Sequence, residues 1–398
     1  MRWSRIDSRT RSMGATETSP DRLIPVFDLV VTPEDLDAVA ETLRSGWLTM
    51  GPRTLEFETR FAQSLGSQYA VAVSSCTAAL HLAYLAAGIG SGDEVIVPSY
   101  TMAATAAAIL YAGGTPVFAD IVSPAQPVID PDHVERLITP RTKAVVAMHF
   151  GGYAAAADAL ADLCARRDLV LIEDAAHSPL ATLGSRRLGT FGLAGVFSFF
   201  SNKVLAAGEG GLLATDDADV AAFARSRRSH AMTRGSWDRH QGGPEDYDVP
   251  ALGFNYRIDE PRAALLLSRL GRLEEDVARR RTMTRRYRSL LQAVPGLIVP
   301  FSDEAVATSS CYVMPVMLED PSRRGDVRID LRERHQVQTS LFYPAVHEFT
   351  AYRARYPGVS LPMTELAARS EITLPLFSHM SEADQDRVVA ALAEELQG

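Results

Sequence analysis

The sequence predicts an α/β fold: a mainly parallel sheet with helices on both faces, followed by a smaller α+β unit. Three observations point there. Apolar runs of strand type alternate with Ala- and Leu-rich helical stretches from Tyr69 to Ile172, and short connections between such elements imply parallel strands. The chain has 398 residues, too many for one small core and suited to two domains. Its composition, 46% hydrophobic with a mean hydropathy of -0.02, supplies an ordinary globular core. The expected division is a disordered leader over 1–21, a large domain over 22–260, and a linking helix with a small C-terminal domain over 261–398.

The leader Met1 to Asp21 is polar and Arg-containing, with no apolar run of the kind a secretion signal carries. Thr32-Pro33-Glu34-Asp35 is a helix start: Thr as N-cap, Pro at the first helical position, acids in the first turn. That helix runs to about Ser45, and the loop GWLTMGP precedes a second helix from Thr54 to Leu65. Ala70 to Val73 then opens the alternation. Strands follow at Glu94 to Pro98, Thr115 to Ala119, Ala144 to His149 and Leu169 to Ile172. Helices lie between them at Ala78 to Ala87, Thr101 to Ala112, Asp132 to Ile138 and Ala154 to Arg166. A buried strand ends at Phe200 and another starts at Gly211. After a helix from Ala218 to Ser229, the polar stretch Met232 to Val249 is a long loop and a candidate cover over a substrate or partner. One long amphipathic helix is expected from Glu260 to Leu291. Strands are expected at Ser309 to Val316 and Gln338 to Phe342, and a closing helix at Glu382 to Leu396.

Charge and cysteine content exclude whole classes of function. A net charge of -9 and a pI near 5.5 leave no broad basic field for nucleic acid or an anionic membrane. No apolar run approaches membrane-span length. Cys76, Cys164 and Cys311 are widely spaced and odd in number, which fits a reduced, cytoplasmic setting and no metal knuckle. His230, Asp238 and His240 share the long loop without a repeated ligand spacing, so no metal is expected.

Lysine is scarce: among 40 basic residues only Lys143 and Lys203 are lysines. Lys203 sits in GVFSFFSNKVLAAGEGGLLAT, between two apolar runs. A poorly hydrated ammonium there has a lowered pKa, and its neutral amine can form a Schiff base with an aldehyde or ketone. Snorkelling from a strand end, or a buried ion pair with Glu209, are the competing structural readings. Three further strand-end motifs accompany it. Ser74-Ser75-Cys76-Thr77 opens a helix, whose free N–H groups suit a phosphate. Glu173-Asp174 directly follows a buried strand, and a buried acid needs a positive or hydrogen-bonding partner such as a protonated pyridine nitrogen. Asp174 is the better candidate, because alternation aims Glu173 to the opposite side; it could otherwise simply cap the next helix. Gly253-Phe254-Asn255-Tyr256-Arg257 brings a guanidinium able to grip a carboxylate, or to form a structural ion pair.

A phosphate cradle, an acid for a pyridinium and a carbonyl-binding amine are what pyridoxal 5'-phosphate requires. The segments SSCTAALHLA, DEVIVPSYT, IEDAAHS, FSFFSNK, GEGG and GFNYRIDE, in that order within Leu23 to Leu396, resemble the DegT/StrS-type sugar aminotransferases. That family has the aspartate-aminotransferase-like (type I) fold, with a large domain built on a seven-stranded, mainly parallel sheet. The resemblance implies that Lys203 binds the cofactor aldehyde and then shuttles the proton between substrate and cofactor. It implies that Asp174 pairs with the pyridine nitrogen and that His177 lies against the ring or its 3-hydroxyl. Cys76, Thr77 and Ser198 would hold the phosphate, with Asn255 supplied by a neighbouring subunit, hence an obligate homodimer with two shared sites. Cys76 stands where relatives commonly have Gly. Met102 stands where they place a stacking aromatic, a position filled either by the Met sulfur or by Tyr100. Arg257 is the implied contact for the donor carboxylate, and Tyr343 and His347 for the sugar.

The implied reaction transfers an amino group from glutamate, or glutamine, to a keto-sugar, nucleotide-linked in the leading reading. A groove using arginines from Arg225 to Arg239 would receive the diphosphate. A keto-cyclitol or other metabolite ketone is the alternative acceptor, and a non-catalytic binding protein the reading from another class. A related branch replaces the lysine by His and dehydrates sugars; Lys203 argues against it.

Overall fold

Seven strands make the central sheet: β1 (Tyr69–Val73), β2 (Glu94–Pro98), β3 (Thr115–Ala119), β4 (Thr142–Met148), β5 (Val170–Asp174), β6 (Ala194–Ser198) and β7 (Gly211–Thr215). The structure is a computed structural model that describes residues 22–242 and 245–397, so the leader expected over 1–21 lies outside the described residues. The spatial order is β1-β7-β6-β5-β4-β2-β3. Pairing is parallel from β3 through β6, and β7 alone runs antiparallel to its neighbours β6 and β1. The reason is the length of the connections. Helices cross over between the successive strands β1 to β5, and the 19-residue stretch 175–193, which carries a small hairpin and no helix, joins β5 to the parallel β6. The shorter loop from Phe199 to Gly210 returns the chain antiparallel. Consequently the carboxyl ends of six strands and the amino end of β7 share one edge of the sheet.

Local sequence chemistry sets the helices on either side. Thr32 accepts a hydrogen bond from the Asp35 N–H at 3.3 Å, and the Asp35 carboxylate accepts from the Thr32 N–H at 3.2 Å. This reciprocal cap starts the helix Pro33–Ser45. Ser75 caps the helix Cys76–Ala86 through the Ala78 N–H at 3.1 Å.

The helix expected over Glu260 to Leu291 is two helices, Glu260–Leu270 and Leu273–Leu291, parted at Gly271 and Arg272. Gly is a poor helix former, and the flanking arginines both turn onto the buried Asp35. Arg269 Nε lies 3.3 Å and Arg272 Nη2 2.6 Å from its Oδ2.

The C-terminal part folds around an antiparallel sheet in the order β8 (Leu297–Ile298), β9 (Met314–Leu318), β10 (Glu371–Leu374). The strand expected at Ser309 to Val316 therefore begins later. Gln338 to Phe342 forms no strand; Ser340 makes a single bridge to Thr373, while the Phe342 N–H turns to the Glu371 side chain at 2.8 Å. The closing helix is Glu382–Gln397. Residues at the start of the described chain pack on this C-terminal core: Ile24 is fully buried and Arg22 pairs with Asp384 at 2.7 Å. No helix among the described residues is long and apolar enough to cross a membrane.

Candidate active site

Lys203 lies in the turn that follows β6, where its N–H bonds to the Phe200 carbonyl at 2.9 Å. Burial pushes its amine down to about 8, with Cys76 and Asp174 acting in the opposite direction. No carboxylate lies within 4 Å of Nζ among the described residues, and Glu209 is exposed. The ion-pair reading is thus not realised. The amine lies over an aromatic face: Nζ stands 4.4 Å from the centroid of the Tyr312 ring.

Asp174 ends β5, two strand positions from Ile172 in the apolar core. It is 3% exposed, and its Oδ2 accepts from Thr105 Oγ1 at 2.7 Å while Oδ1 accepts from the Ala176 N–H at 3.2 Å. Burial raises its pKa, and those donors, with the charge of Lys203, hold it back. Glu173 points the other way, as strand alternation requires. It binds His149 Nε2 at 3.0 Å and the N–H groups of Gly189, Phe191 and Gly192. Thr105 is a site residue absent from the sequence reading. Its signal was present as the one threonine in the apolar helix AATAAAILY.

His177 follows on the same edge. Its Nδ1 accepts the Gly151 N–H at 3.2 Å, and its Nε2 lies 2.9 Å from the Tyr343 hydroxyl. Burial drives its pKa well below 6.5, so the ring is neutral. Because a backbone N–H can only donate, the one ring proton sits on Nε2 and is donated to Tyr343. Tyr343 is thereby brought into the site. His347 is not: its ring and N–H bond to Ser99 Oγ at 2.7 and 3.0 Å, and its Nε2 faces Glu365 at 3.5 Å.

The helix start expected to cradle the phosphate is shaped by backbone contact. With Ser75 holding the Ala78 N–H, the N–H groups of Cys76 and Thr77 remain directed out of the first turn. The first residue of β7, Gly211, presses against them. A Cβ there would stand 2.4 Å from the Cys76 nitrogen and 2.3 Å from the Ser75 carbonyl carbon. Burial pushes the Cys76 thiol up, with Asp174 adding to the rise, so Cys76 lies within electrostatic reach of both Asp174 and Lys203.

Residues 30–393 match the DegT/DnrJ/EryC1/StrS aminotransferase family model. The chain belongs to that family.

Among its relatives, the spore coat polysaccharide biosynthesis protein SpsC of Bacillus subtilis (strain 168) is 38% identical over 95% of this chain and 98% of that protein. The aminotransferase TlmJ from Streptoalloteichus hindustanus superposes with a TM-score of 0.87 at 37% identity, covering 94% of this chain and 99% of that one. DesI, solved in the presence of its TDP-sugar product, gives 0.82 at 34% identity over 94% and 92% of the two chains. NtdA from Bacillus subtilis, solved with bound pyridoxamine phosphate, gives 0.82 at 28% identity over 92% and 83%. The fold is accordingly that of the aspartate-aminotransferase-like enzymes, and the protein is a pyridoxal phosphate-dependent transaminase.

The aminotransferase's own residues fit this cofactor on a direct criterion. Asp174 is buried with two neutral donors and no cation within 4 Å among the described residues, and a buried carboxylate so placed lacks the positive partner that a protonated pyridine nitrogen supplies. Of the other expected contacts, Ser198 ends β6 and its Oγ accepts from the Phe200 N–H at 3.4 Å. Met102 is 54% exposed at the N-cap of the helix Ala103–Tyr111. Tyr100 cannot replace it as a stacking residue: it is buried against Phe150, with its hydroxyl on the Phe342 carbonyl at 2.7 Å. Asn255 is exposed and bridges Ser229, and Arg257 Nη1 donates to Ser229 Oγ at 3.3 Å.

The arginines expected to line a groove between Arg225 and Arg239 have separate partners among the described residues. Arg225 rests on Tyr69, Arg228 is buried on Glu58, Arg234 pairs with Asp246 and Arg239 covers Tyr247. The loop that carries the last two contains a short helix, Ser236–His240, whose Trp237 and His240 pack on Trp47 at 4.9 and 4.5 Å.

Proposed function

We propose that this aminotransferase moves an amino group from glutamate, or glutamine, onto a nucleotide-linked keto-sugar. The observation that carries the reading is the meeting of Lys203, Asp174, His177 and the Cys76–Thr77 helix start on one sheet edge. Lys203 also lines a cavity of about 600 Å³, whose walls include Asp28, Arg269, Arg272 and Arg280 but not Asp174, His177, Cys76 or Thr77. That volume is ordinary for a small-molecule site. The acceptor class is supported by SpsC and DesI, whose names speak of polysaccharide biosynthesis and a TDP-sugar.

Bound pyridoxal phosphate supplies the electron sink for breaking the bond to hydrogen at the substrate carbon. The chain does the rest. Thr105 and the Ala176 N–H keep Asp174 directed at the ring nitrogen. Lys203, with its amine brought near 8, would hold the cofactor at its aldehyde and move the proton at the reacting carbon. Cys76, Thr77 and Ser198 would hold the phosphate. His177, in its Nε2–H form, would lie against the ring while donating its hydrogen bond to Tyr343, which would face the sugar.

Two copies of the chain share these sites. Asn255 completes the phosphate cage of the partner, Arg257 takes the donor carboxylate, and Met102 covers the ring. The exposure of Asn255, Met102 and Phe200 is consistent with a homodimer in the cytoplasm that closes over this edge.

Three measurements test the reading. Glutamate or glutamine added to cofactor-loaded protein bleaches its visible band, and Lys203→Ala protein retains no borohydride-fixed cofactor. Nucleotide-linked keto-sugars are then aminated, read as product mass. Amination of free keto-cyclitols alone would move the acceptor to the alternative class, and no bleaching with any amino donor would sink the reading.

A further inference from the structure

We propose that Tyr312 is a positioning residue for the catalytic amine: its ring face is the berth on which the Lys203 ammonium rests when the amine is not joined to a carbonyl. The inference rests on Lys203 being the amine of the function proposed above.

The geometry comes first. Lys203 Nζ is 4.4 Å from the Tyr312 ring centroid, inside the range of a cation–π contact. The ring cannot swing away. Phe27 stacks on it at 5.7 Å with planes 10° apart, Phe342 meets its edge at 5.8 Å, and His177 lies 4.5 Å off. Its backbone is pinned as well, N–H to the Gly151 carbonyl at 2.9 Å and carbonyl to Arg280 at 3.3 Å.

Charge bookkeeping then singles out the ring. Asp174, Cys76 and His177 interact with the amine electrostatically, Tyr312 touches it and Tyr343 bonds to His177. Asp28, Glu275, Asp276, Arg269, Arg272, Arg279, Arg280 and His379 line the cavity that Lys203 also borders, with no acid within 4 Å of Nζ among the described residues. Asp174 from β5 acts at a distance and makes no ion pair within 4 Å. The Cys76 thiol at the helix start is pushed up by burial and stays protonated. His177 is neutral, since burial and the Lys203 charge both lower it. Tyr343 donates nothing to Nζ and has its pKa raised by burial. Tyr312 is likewise held neutral by burial. A neutral aromatic face is therefore the one attraction in contact with the ammonium among the described residues.

The Tyr312 hydroxyl is buried without a hydrogen-bond partner. The contact uses the ring and leaves the hydroxyl idle, which separates this role from that of a proton donor. For catalysis the consequence is directional. A weak, non-ionic berth keeps the amine charged enough to protonate and loose enough to leave, whereas a carboxylate at the same place would trap it.

The test reads the amine without cofactor, donor or acceptor. The full-length, cofactor-free chain is labelled competitively with acetic anhydride across the pH range, and the two lysine peptides are quantified by mass spectrometry. Lys143, exposed and far from the site, is the internal reference. In Tyr312→Phe the midpoint for Lys203 stays with the wild type. In Tyr312→Leu it falls by about one pH unit, the size a desolvated cation–π contact supplies, and Lys143 does not move. Replacement of Tyr312 by pentafluorophenylalanine keeps the shape and drains the ring face, and lowers the midpoint likewise even if the Leu variant fails to fold. A Tyr312→Phe midpoint displaced as far as that of the fluorinated ring, or a fluorinated ring that leaves Lys203 unmoved, overturns the proposal. A chain with the expected shifts but no transamination would remove the proposed function and leave this berth standing.

Discussion

Thr105 Oγ1 donates a hydrogen bond to Asp174 Oδ2 at 2.7 Å, joining the helix behind β2 to the acid at the end of β5. A second hydroxyl, Thr101 Oγ1, lies 2.9 Å from Thr105 Oγ1 and extends the chain. Both threonines are buried. The acid proposed to hold the ring nitrogen is thus itself held.

Thr105→Val tests that support. The donor bonds to the charged form of Asp174, so its loss raises further a pKa that burial has already raised. Hydrogen bonds to charged groups contribute about 1.5–3 kcal/mol, so kcat/KM is expected to fall by roughly 10- to 100-fold. Thr105→Ser restores most of the loss. An unchanged kcat/KM in the Val variant would remove Thr105 from the site.

Mixing mutants tests the shared site. Lys203→Ala and Asn255→Ala homodimers are each expected to be impaired. If Asn255 serves the partner's site, random reassortment gives hybrid dimers with one intact site, and activity returns to about one quarter of wild type. An Asn255 that acted within its own chain would restore nothing on mixing.

Glu371 sets a pH dependence of stability. It is buried on β10, accepts from the Phe342 N–H at 2.8 Å, and burial pushes its carboxyl up to about 8 from 4.5. Between those two values the folded chain holds the extra proton, so stability falls as pH rises from about 4.5 to 8. Glu371→Gln, neutral throughout, should flatten this part of the Tm–pH curve measured by calorimetry. A slope of equal steepness in the variant would contradict the assignment.

Gly211→Ala places a methyl group 2.3–2.5 Å from backbone atoms of Ser75 and Cys76. Backbone cannot yield as a flexible side chain does. The helix start must shift, at a cost of about 1–3 kcal/mol, and with it the N–H groups of the phosphate cradle. Thermal melting and cofactor titration should both show loss, and an unchanged cofactor Kd would argue that Cys76 and Thr77 do not hold the phosphate.

Much of this was readable beforehand where the cause is local. The strands Glu94–Pro98 and Thr115–Ala119 and the Thr32 cap occur with the expected bounds, because apolar runs and capping side chains act over a few residues. The break at Gly271 was hidden, since the stripe of Leu and Arg continues through it. Its cause is Asp35, distant in sequence, drawing Arg269 and Arg272 together. Tyr343 and His347 share one short segment and end in different surroundings. Spacing alone could not part them, because the segment turns between His177 and Ser99.

By itself, then, the sequence determined the alternation of strands and helices, the family, and which amine and acid stand at strand ends. Each follows from short-range pattern and from the scarcity of lysine in the chain. Only the tertiary structure decided that β7 is inserted between β6 and β1, that Thr105 braces Asp174, and that Lys203 rests on Tyr312 rather than on Glu209. Those outcomes depend on packing between segments far apart in the chain, where burial, and not residue type, selects the partner.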